Sequence, residues 1–343
     1  MSKHKLSDEI LQNVTVDLSM AGERVDVVLS KCFPDYSRSQ LQKWLKQGNV
    51  TIDGEIRKAK EKLLGGEEVV LSAELSVQTE WQAQDIDLNV IYEDEDVIVI
   101  NKPIGLVVHP GAGNNDGTLS NGLLAYCPGL RNIPRCGIVH RLDKDTSGLL
   151  VVAKTLKAHN SLVEQLQART VKREYEAIAC GYITSGSTID AAIGRCPHNR
   201  LKMAVTKLGK PAITHFNILE RYRSHTRIRC KLETGRTHQI RVHMAHINAP
   251  LLGDPLYNKR LKINGNMSQE LKDILRSYKT QALHALKLAF IHPSTNELVE
   301  FKAKCPVHFQ ELIQILRQDA EELYQYDDLD EDDIDFYDED NEY

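Results

Sequence analysis

The cysteines lack every arrangement that marks a disulfide or zinc framework. Seven cysteines occur among the 343 residues, an odd number, and no two of them form a Cys-x-x-Cys pair. Secreted disulfide scaffolds and structural zinc sites both depend on paired, closely spaced cysteines. The set therefore predicts reduced thiols that pack in the interior of a cytoplasmic protein.

Long apolar segments are also absent. The stretch Met1–Val16 is polar, so it does not resemble a secretory signal. The longest apolar runs, such as Leu149–Ala153, are far shorter than the ~20 residues that a membrane helix needs. We therefore expect a cytoplasmic protein with no membrane partner.

Two common site motifs are incomplete. The glycines of segment 111–117 do not have the spacing of a dinucleotide-binding loop, and no ribose-binding acid follows them in a strand, loop and helix pattern. His238, His243 and His246 cluster without an H-E-x-x-H pattern or a paired acidic ligand. We therefore interpret the glycine segment as a flexible loop and the histidines as RNA or packing contacts, and we expect no metal site.

Charge is distributed unevenly along the chain. The formal net charge is -5, but residues 319–343 hold 14 acidic and no basic side chains. Residues 1–318 consequently carry 43 basic against 34 acidic side chains, a formal +9. A basic body suits a phosphate-bearing partner, although scattered surface lysines would give the same sum. We expect the acidic tail, 319–343, to be disordered.

A small unit is predicted after a flexible arm of residues 1–16. Apolar spacing indicates a helix over Arg24–Cys32 and a second, amphipathic helix that ends at Gly48. The side of the second helix that faces away from its apolar stripe is basic, and its members are Arg38, Lys43 and Lys46.

Short strands complete this unit. Segment 50–56 has the pattern of a strand, an Asp53–Gly54 turn and a second strand, and a further strand is predicted over 69–71. The string S-R-S-Q-L-Q-K-W-L-K-Q-G-N-V-T-I-D-G resembles the S4 RNA-binding domain. The resemblance implies an S4-like α/β domain over 17–80 that contacts RNA through Arg38, Lys43 and Lys46. The alternative is a packing module with solvated charges.

The rest of the chain, residues 81–318, reads as one larger domain. A helix is predicted over Lys157–Gln167, and another is predicted to begin at a Thr237 cap. The strand predictions are Val97–Ile100, Gly137–His140, Leu149–Ala153, Glu174–Ala179, Thr214–Leu219 and Thr226–Leu232. The connections are too irregular for a βαβ repeat, so we predict an α+β fold with a mixed, largely antiparallel sheet.

The segment His140–Gly148 is the strongest candidate for chemistry, because it is a polar loop between two predicted strands. Taken alone, it could be a turn in which Asp143 or Asp145 caps a backbone group. In its context G-I-V-H-R-L-D-K-D-T-S-G-L-L-V-V-A-K-T, it resembles the signature of RluA/RluD-type pseudouridine synthases. Three further strings extend the resemblance over roughly residues 90–310: N-K-P-I-G-L-V-V-H-P-G-A-G, K-R-E-Y-E-A-I and T-G-R-T-H-Q-I-R-V-H-M-A-H-I-N-A-P-L-L-G-D-P-L-Y.

The resemblance implies a pseudouridine synthase catalytic domain that needs no cofactor. In that reaction the N1–C1′ bond of uridine breaks, the uracil turns, and C5 is joined to C1′. Asp143 matches the family's nucleophile, but whether it attacks carbon or removes a sugar proton stays open. Tyr175 matches the residue that removes the C5 proton, with a buried core tyrosine as the alternative. Arg241 matches the cation that keeps Asp143 ionised, and Arg236 is its competitor.

RNA contacts are also implied. A stacked base must be extruded at a cost of a few kcal/mol, and Arg141 matches the residue that displaces it. We expect His140 and Arg236 to contact RNA as well. The expected substrate is uridine in 23S (large-subunit) ribosomal RNA, in a stem-loop at the subunit interface. It would be met as RNA or as a pre-ribosomal particle, by a monomeric enzyme. The alternatives are a non-catalytic assembly factor, another ribosomal site and transfer RNA.

Overall fold

The computed structural model describes residues 9–34, 36, 38–74, 81–111, 113–197, 199, 202–258 and 263–331. Within these residues, no helix is both long and apolar enough to cross a membrane. The seven cysteines all belong to the described part of the chain, and no disulfide joins any two of them.

The amino-terminal unit has its own core. Its elements are β1 (Glu9–Thr15), α1 (Val25–Cys32), α2 (Arg38–Gln47), β2 (Val50–Ile52) and β3 (Glu68–Glu74). The strands form an antiparallel sheet in the order β1-β3-β2. Leu29, Leu41 and Trp44 belong to the buried cluster beneath that sheet, so the apolar stripes of both helices are used for packing.

Two expectations for this unit differ from the structure. We expected residues 1–16 to be a flexible arm, but residues 9–15 form β1, which pairs with all seven residues of β3. The Asp53–Gly54 turn is present, with positive φ at both residues. The strand predicted after it is reduced to one bridge between Ile52 and Glu55, because β2 takes β3 as its partner.

The larger unit contains most of the chain. Its elements in chain order are β4 (Val90–Glu93), β5 (Val97–Lys102), α3 (Leu119–Tyr126), β6 (Ser147–Ala153), α4 (Leu156–Gln167), β7 (Lys172–Cys180), β8 (Ser187–Asp190), β9 (Ile193–Arg195), β10 (Met203–Val205), β11 (Ile213–Arg221), β12 (His225–Leu232), α5 (Gln239–His246), α6 (Gln269–Ser277), β13 (Leu283–Ile291), β14 (Leu298–Lys302) and α7 (Val307–Glu331).

A nine-stranded sheet organises this unit. Its order is β4-β5-β6-β13-β7-β12-β11-β8, and β14 pairs with β13. All of its strand pairs are antiparallel except β6 with β13. The prediction of an α+β fold with a mixed, largely antiparallel sheet is therefore confirmed.

The loop with Asp143 leads directly into β6, and the start of β6 packs tightly against β13. Gly148 has φ +112, and a Cβ there would lie 2.3 Å from the Ala285 carbonyl oxygen on β13, so only glycine fits. The strand predicted at Gly137–His140 is wrong. The Val151 N–H of β6 donates to His140 Nε2 at 3.2 Å, so the histidine ring takes a bond that a strand neighbour would otherwise accept.

The acidic end of the chain is more ordered than expected. Helix α7 continues to Glu331, into the segment 319–343 that we expected to be disordered. The side chain of Asp319 is buried, and its Oδ1 accepts the Ser268 N–H at 2.6 Å, next to the start of α6. Packing against α6 therefore stabilises this part of α7. Residues 332–343 lie outside the described residues.

Candidate active site

One cavity receives residues from three segments that are far apart in the chain. Its volume is about 820 Å³, and its wall includes the loop after Ile138, the start of β7 and the segment between β12 and α5. Asp143 comes from the loop, Tyr175 from β7 and Arg241 from α5. The three residues that the sequence predicted as a catalytic set therefore line the same cavity.

A single guanidinium joins two carboxylates at this site. Arg241 Nη1 donates to Asp143 Oδ2 at 2.9 Å. The Nε and Nη2 atoms of Arg241 donate to Asp254 Oδ2 and Oδ1 at 2.7 and 3.0 Å. Burial alone would lower the pKa of Arg241, but the two aspartates reverse this and raise it. Arg241 is therefore a permanent cation, fixed on one side by a bidentate pair, that presents one N–H to Asp143.

Asp254 holds Arg241 in place, and the sequence interpretation did not single it out. Its side chain is completely buried, and besides Arg241 it accepts the backbone N–H groups of Leu256 and Tyr257 at 2.9 and 3.0 Å. Four hydrogen bonds thus hold a carboxylate whose only charged partner is Arg241 among the described residues. The string L-L-G-D-P-L-Y was part of the resemblance, and the single acidic residue among its apolar neighbours was the signal that could have identified Asp254.

His238 is the second neighbour of Asp143. Its Nε2 lies 3.9 Å from Asp143 Oδ1, and its Nδ1 lies 2.9 Å from the Tyr257 hydroxyl. That hydroxyl oxygen already accepts the Met203 N–H at 2.9 Å, so its own hydrogen is available for Nδ1. A neutral ring then carries its proton on Nε2, facing Asp143. Helix α5 begins directly after His238, which has φ 57 and provides no side-chain cap, so the prediction that Thr237 is the cap was wrong.

Tyr175 lies on β7 with its side chain almost fully buried. Burial raises the pKa of Tyr175, and the charge of Arg173 opposes that rise. Arg173 lines the cavity as well, and its Nη2 donates to the Glu233 carbonyl at 3.3 Å. Its buried Nε has no hydrogen-bond partner within the described part of the chain. The cavity thus holds a neutral phenol beside a cation that favours its ionisation.

Lys102 anchors the backbone of the loop that carries Asp143. It is fully buried, and its Nζ donates to the carbonyl groups of Pro103, Leu106 and Lys144 at 2.7 to 2.9 Å. Burial lowers the pKa of Lys102 to about 8, against the attraction of nearby aspartates. Because Lys144 follows Asp143 in the chain, this ammonium fixes the backbone that carries the carboxylate. Lys102 belongs to the string N-K-P of the family resemblance, but the sequence interpretation assigned it no role.

The other residues predicted near the site have different environments. Arg141 is exposed where the loop meets the cavity, and it makes no hydrogen bond or salt bridge with any described residue. His140 also lines the cavity, but its Nε2 is bonded to β6, and burial lowers its pKa to about 3. Arg236 is half-buried, and its Nε donates to the Pro211 carbonyl at 3.0 Å rather than to Asp143. Arg241, not Arg236, is therefore the ion-pair partner.

The three basic residues predicted on α2 do not form one free surface. Arg38 donates to Asp26 at 2.6 and 3.1 Å, and Asp26 is almost fully buried. The guanidinium of Arg38 is thus paired with a buried carboxylate on α1, while about half of its side chain stays exposed. Lys43 and Lys46 are exposed.

Comparisons with known proteins agree with this geometry. Residues 96–246 match the RNA pseudouridylate synthase family, and residues 23–69 match the S4 domain. The chain is 52% identical over 316 residues to the Ribosomal large subunit pseudouridine synthase D of Pseudomonas aeruginosa, which covers 92% of this chain and 99% of that protein. It is 50% identical over 318 residues to the protein of the same name from Escherichia coli, with 92% and 98% covered.

Solved structures show the same relationship. Human RNA Pseudouridylate Synthase Domain Containing 4 superposes with a TM-score of 0.53 at 25% identity and covers 67% of this chain and 93% of its own. Human RNA Pseudouridylate Synthase Domain Containing 1 gives a TM-score of 0.51 at 27% identity, with 72% and 96% covered. With a cavity that joins an arginine-paired aspartate to a buried tyrosine, and with relatives half identical over almost their whole length, the chain belongs to the RNA pseudouridylate synthase family.

Proposed function

We propose that this protein isomerises specific uridines to pseudouridine in large-subunit (23S) ribosomal RNA. The observation that carries the proposal is the hydrogen bond from Arg241 to Asp143 on a cavity that Tyr175 also lines. Relatives about half identical over nearly their whole length are named for ribosomal large-subunit pseudouridine synthesis. The substrate class is inferred from those names.

Asp143 is the group that acts at the sugar. Its Oδ2 is engaged by Arg241, so Oδ1 is the oxygen left to approach C1′ or to accept a sugar proton. The Arg241 N–H donates a charge-assisted hydrogen bond that fixes the orientation of this carboxylate. The N1–C1′ bond then breaks, the uracil turns, and C5 bonds to C1′.

Tyr175, acting as its phenolate, takes the proton that remains on C5 after C5 has bonded to C1′, and N1, released from C1′, takes up a proton in exchange. Burial raises the pKa of its hydroxyl, which disfavours the phenolate, and the positive charge of Arg173 works in the opposite direction. Arg173 is therefore the group that favours the phenolate form of Tyr175, the form that can remove a proton. Both side chains belong to β7 and point into the cavity that holds Asp143.

RNA is placed by groups outside this centre. Arg141, exposed beside Asp143, fills the space of the extruded base with its planar guanidinium. Lys43 and Lys46 on α2 contact phosphates, and His140 and Arg236, which line the cavity, contact the RNA near the target uridine. A stem-loop at the subunit interface, presented as RNA or in a pre-ribosomal particle, is the proposed target of a monomeric enzyme in the cytoplasm.

The test compares wild type with Asp143→Asn. Pseudouridine is mapped chemically in large-subunit ribosomal RNA from cells that lack the protein and express either form. We expect modification to return at specific sites with wild type only, and at no site with the variant. Equal modification by the two forms would refute the mechanism. Loss of the protein without loss of any pseudouridine would favour the non-catalytic assembly factor.

A further inference from the structure

The wall of the active-site cavity carries an aromatic pair that the reaction does not use. Trp81 and His109 both line the cavity, and their ring centroids lie 5.7 Å apart at an angle of 44°. Trp81 is half-buried and packs partly on the main core. The residues just after it are tied to α3, since Asn121 Nδ2 donates to the Gln82 carbonyl at 2.8 Å. The indole is therefore held in place.

His109 presents a hydrogen-bond acceptor. The Ser120 hydroxyl donates to the Val108 carbonyl at 2.8 Å, so the 3.2 Å contact between His109 Nδ1 and Ser120 Oγ needs the proton on Nδ1. Burial lowers the pKa of His109 to about 4, and the charges of Arg141 and Arg135 add to this effect. The ring is then neutral at physiological pH, and Nε2 is an acceptor without a hydrogen-bond partner in the described part of the chain.

Arg135 brings an unused cation to the same cavity wall. It lines the cavity, is exposed, and forms no hydrogen bond or salt bridge with the residues that the structure describes. Arg135 and Cys136 both have φ 54, an unfavourable left-handed conformation for residues with side chains. The turn continues at Gly137, where only glycine fits because a Cβ would lie 1.9 Å from the Ala153 carbonyl oxygen. The strained turn fixes the direction in which Arg135 leaves the backbone.

We propose that Trp81, His109 and Arg135 form a subsite for the nucleotide next to the target uridine in the same RNA strand. Its base stacks on Trp81 and donates an N–H hydrogen to His109 Nε2, and Arg135 neutralises its phosphate. The cavity of about 820 Å³ lies near the upper end of the ~300–1,000 Å³ of ligand pockets, which leaves space for a second base. This subsite rests on the proposed function and would contribute to the choice of site.

Trp81 can report on its own occupancy. Trp44 is the only other tryptophan of the sequence, and its side chain is buried in the amino-terminal unit, where no base can stack on it. A fragment of large-subunit ribosomal RNA that contains a mapped target is added to the Asp143→Asn variant, so that no substrate is consumed. We expect quenching of tryptophan fluorescence. The quench should disappear in an added Trp81→Phe background, or when the nucleotide on one side of the target is abasic.

Kinetics on the active enzyme provide a second readout. Trp81→Ala should lower kcat/KM about 10-fold on intact RNA, the scale of one stacking contact, and should cause no further loss on RNA that is abasic at the same neighbour. His109→Leu should behave likewise, whereas His109→Gln, which keeps an acceptor oxygen, should recover activity. Arg135→Asn removes the charge and tolerates positive φ, so its effect should report phosphate binding and weaken with added salt.

The outcomes separate the subsite from the reaction. Wild-type pseudouridine formation with no quench and no difference between intact and abasic RNA would overturn the subsite and leave the proposed function standing. Equal losses for Trp81→Ala on both RNAs would show that the indole is only structural, which also overturns it. A quench that depends on the neighbouring base, together with a wild-type protein that forms no pseudouridine on the same RNA, would support the subsite and remove the proposed function.

Discussion

Replacing Asp254 by asparagine tests how the catalytic carboxylate is held. The carboxylate of Asp254 accepts two N–H groups from Arg241 and two from the backbone, so neither of its oxygens is idle. Asn keeps the size but has one acceptor oxygen. If that oxygen stays at the backbone turn, the amide NH₂ points at Arg241 Nε, and two donors face each other in a buried site.

The expected loss follows from that mismatch. A hydrogen bond to a charged group contributes about 1.5–3 kcal/mol, so Asp254→Asn should lower the free energy of unfolding by about 2–3 kcal/mol. Arg241 also loses the bidentate contact that orients it toward Asp143, and kcat should fall by about 10- to 100-fold. Asp143→Asn leaves the bidentate pair intact. It should abolish activity while changing stability by less than about 1 kcal/mol.

The assay is urea unfolding of the full chain followed by circular dichroism, paired with pseudouridine formation on a ribosomal RNA fragment. Asp273→Asn is the matched control, because Asp273 pairs with Arg276 at 3.0 Å while more than half of each side chain is exposed. Such pairs contribute about 0–1 kcal/mol. The assignment of roles to the two aspartates is wrong if Asp254→Asn is as stable as the control. It is also wrong if Asp143→Asn is less stable than Asp254→Asn.

Three further variants probe the support of the loop and its neighbours. Tyr257→Phe removes the hydroxyl that sets the tautomer of His238, so kcat should fall about 10-fold while KM is unchanged. Burial lowers the pKa of His140 from 6.5 to about 3, so unfolding takes up a proton and stability falls as pH drops through that window. His140→Gln should therefore flatten this fall by about 1.4 kcal/mol per pH unit, measured by urea unfolding. Gly148→Ala forces a Cβ to 2.3 Å from the Ala285 carbonyl oxygen and should cost about 3 kcal/mol or more, measured in the same way.

Each of these variants has a clear contrary result. Tyr182→Phe, on a ring that is 63% exposed, should leave kcat unchanged. If Tyr257→Phe also leaves kcat unchanged, the Tyr257 hydroxyl has no special role. Parallel stability curves for wild type and His140→Gln between pH 4 and 6 would contradict the burial of a neutral ring. Gly129→Ala meets open space and should be silent, so a similarly silent Gly148→Ala would disprove the close approach of β6 and β13.

The sequence predicted three residues that line one cavity but not the sheet that brings them together. Asp143, Tyr175 and Arg241 could be found because each belongs to a long motif in a fixed order along the chain. The position of β13 between β6 and β7 could not, because that strand comes more than a hundred residues after both. Its pairing depends on tertiary contacts, whereas hydrophobic periodicity reports only which face of an element is buried.

Arg38 shows the same limit from the opposite side. Periodicity correctly placed it away from the apolar stripe of α2, and nearly half of its side chain is exposed. What periodicity cannot show is a buried acid on a neighbouring helix. Asp26 of α1 accepts hydrogen bonds from Arg38 and Gln42 of α2 and from Arg24, so the guanidinium of Arg38 has a structural partner that the sequence pattern does not reveal.

One short turn explains why Asp143 has both of its neighbours in place. The Tyr257 N–H is bonded to Asp254 Oδ1, so the same turn that holds Asp254 against Arg241 also holds the Tyr257 hydroxyl against His238. Arg241 addresses Asp143 Oδ2, and His238 faces Oδ1. Since both contacts pass through one turn, Asp254→Ala, which removes both acceptor oxygens, should disturb them together, whereas Tyr257→Phe should affect only the contact from His238. A double variant of Asp254→Ala with Tyr257→Phe that is no less active than Asp254→Ala alone would therefore be the signature of this shared support.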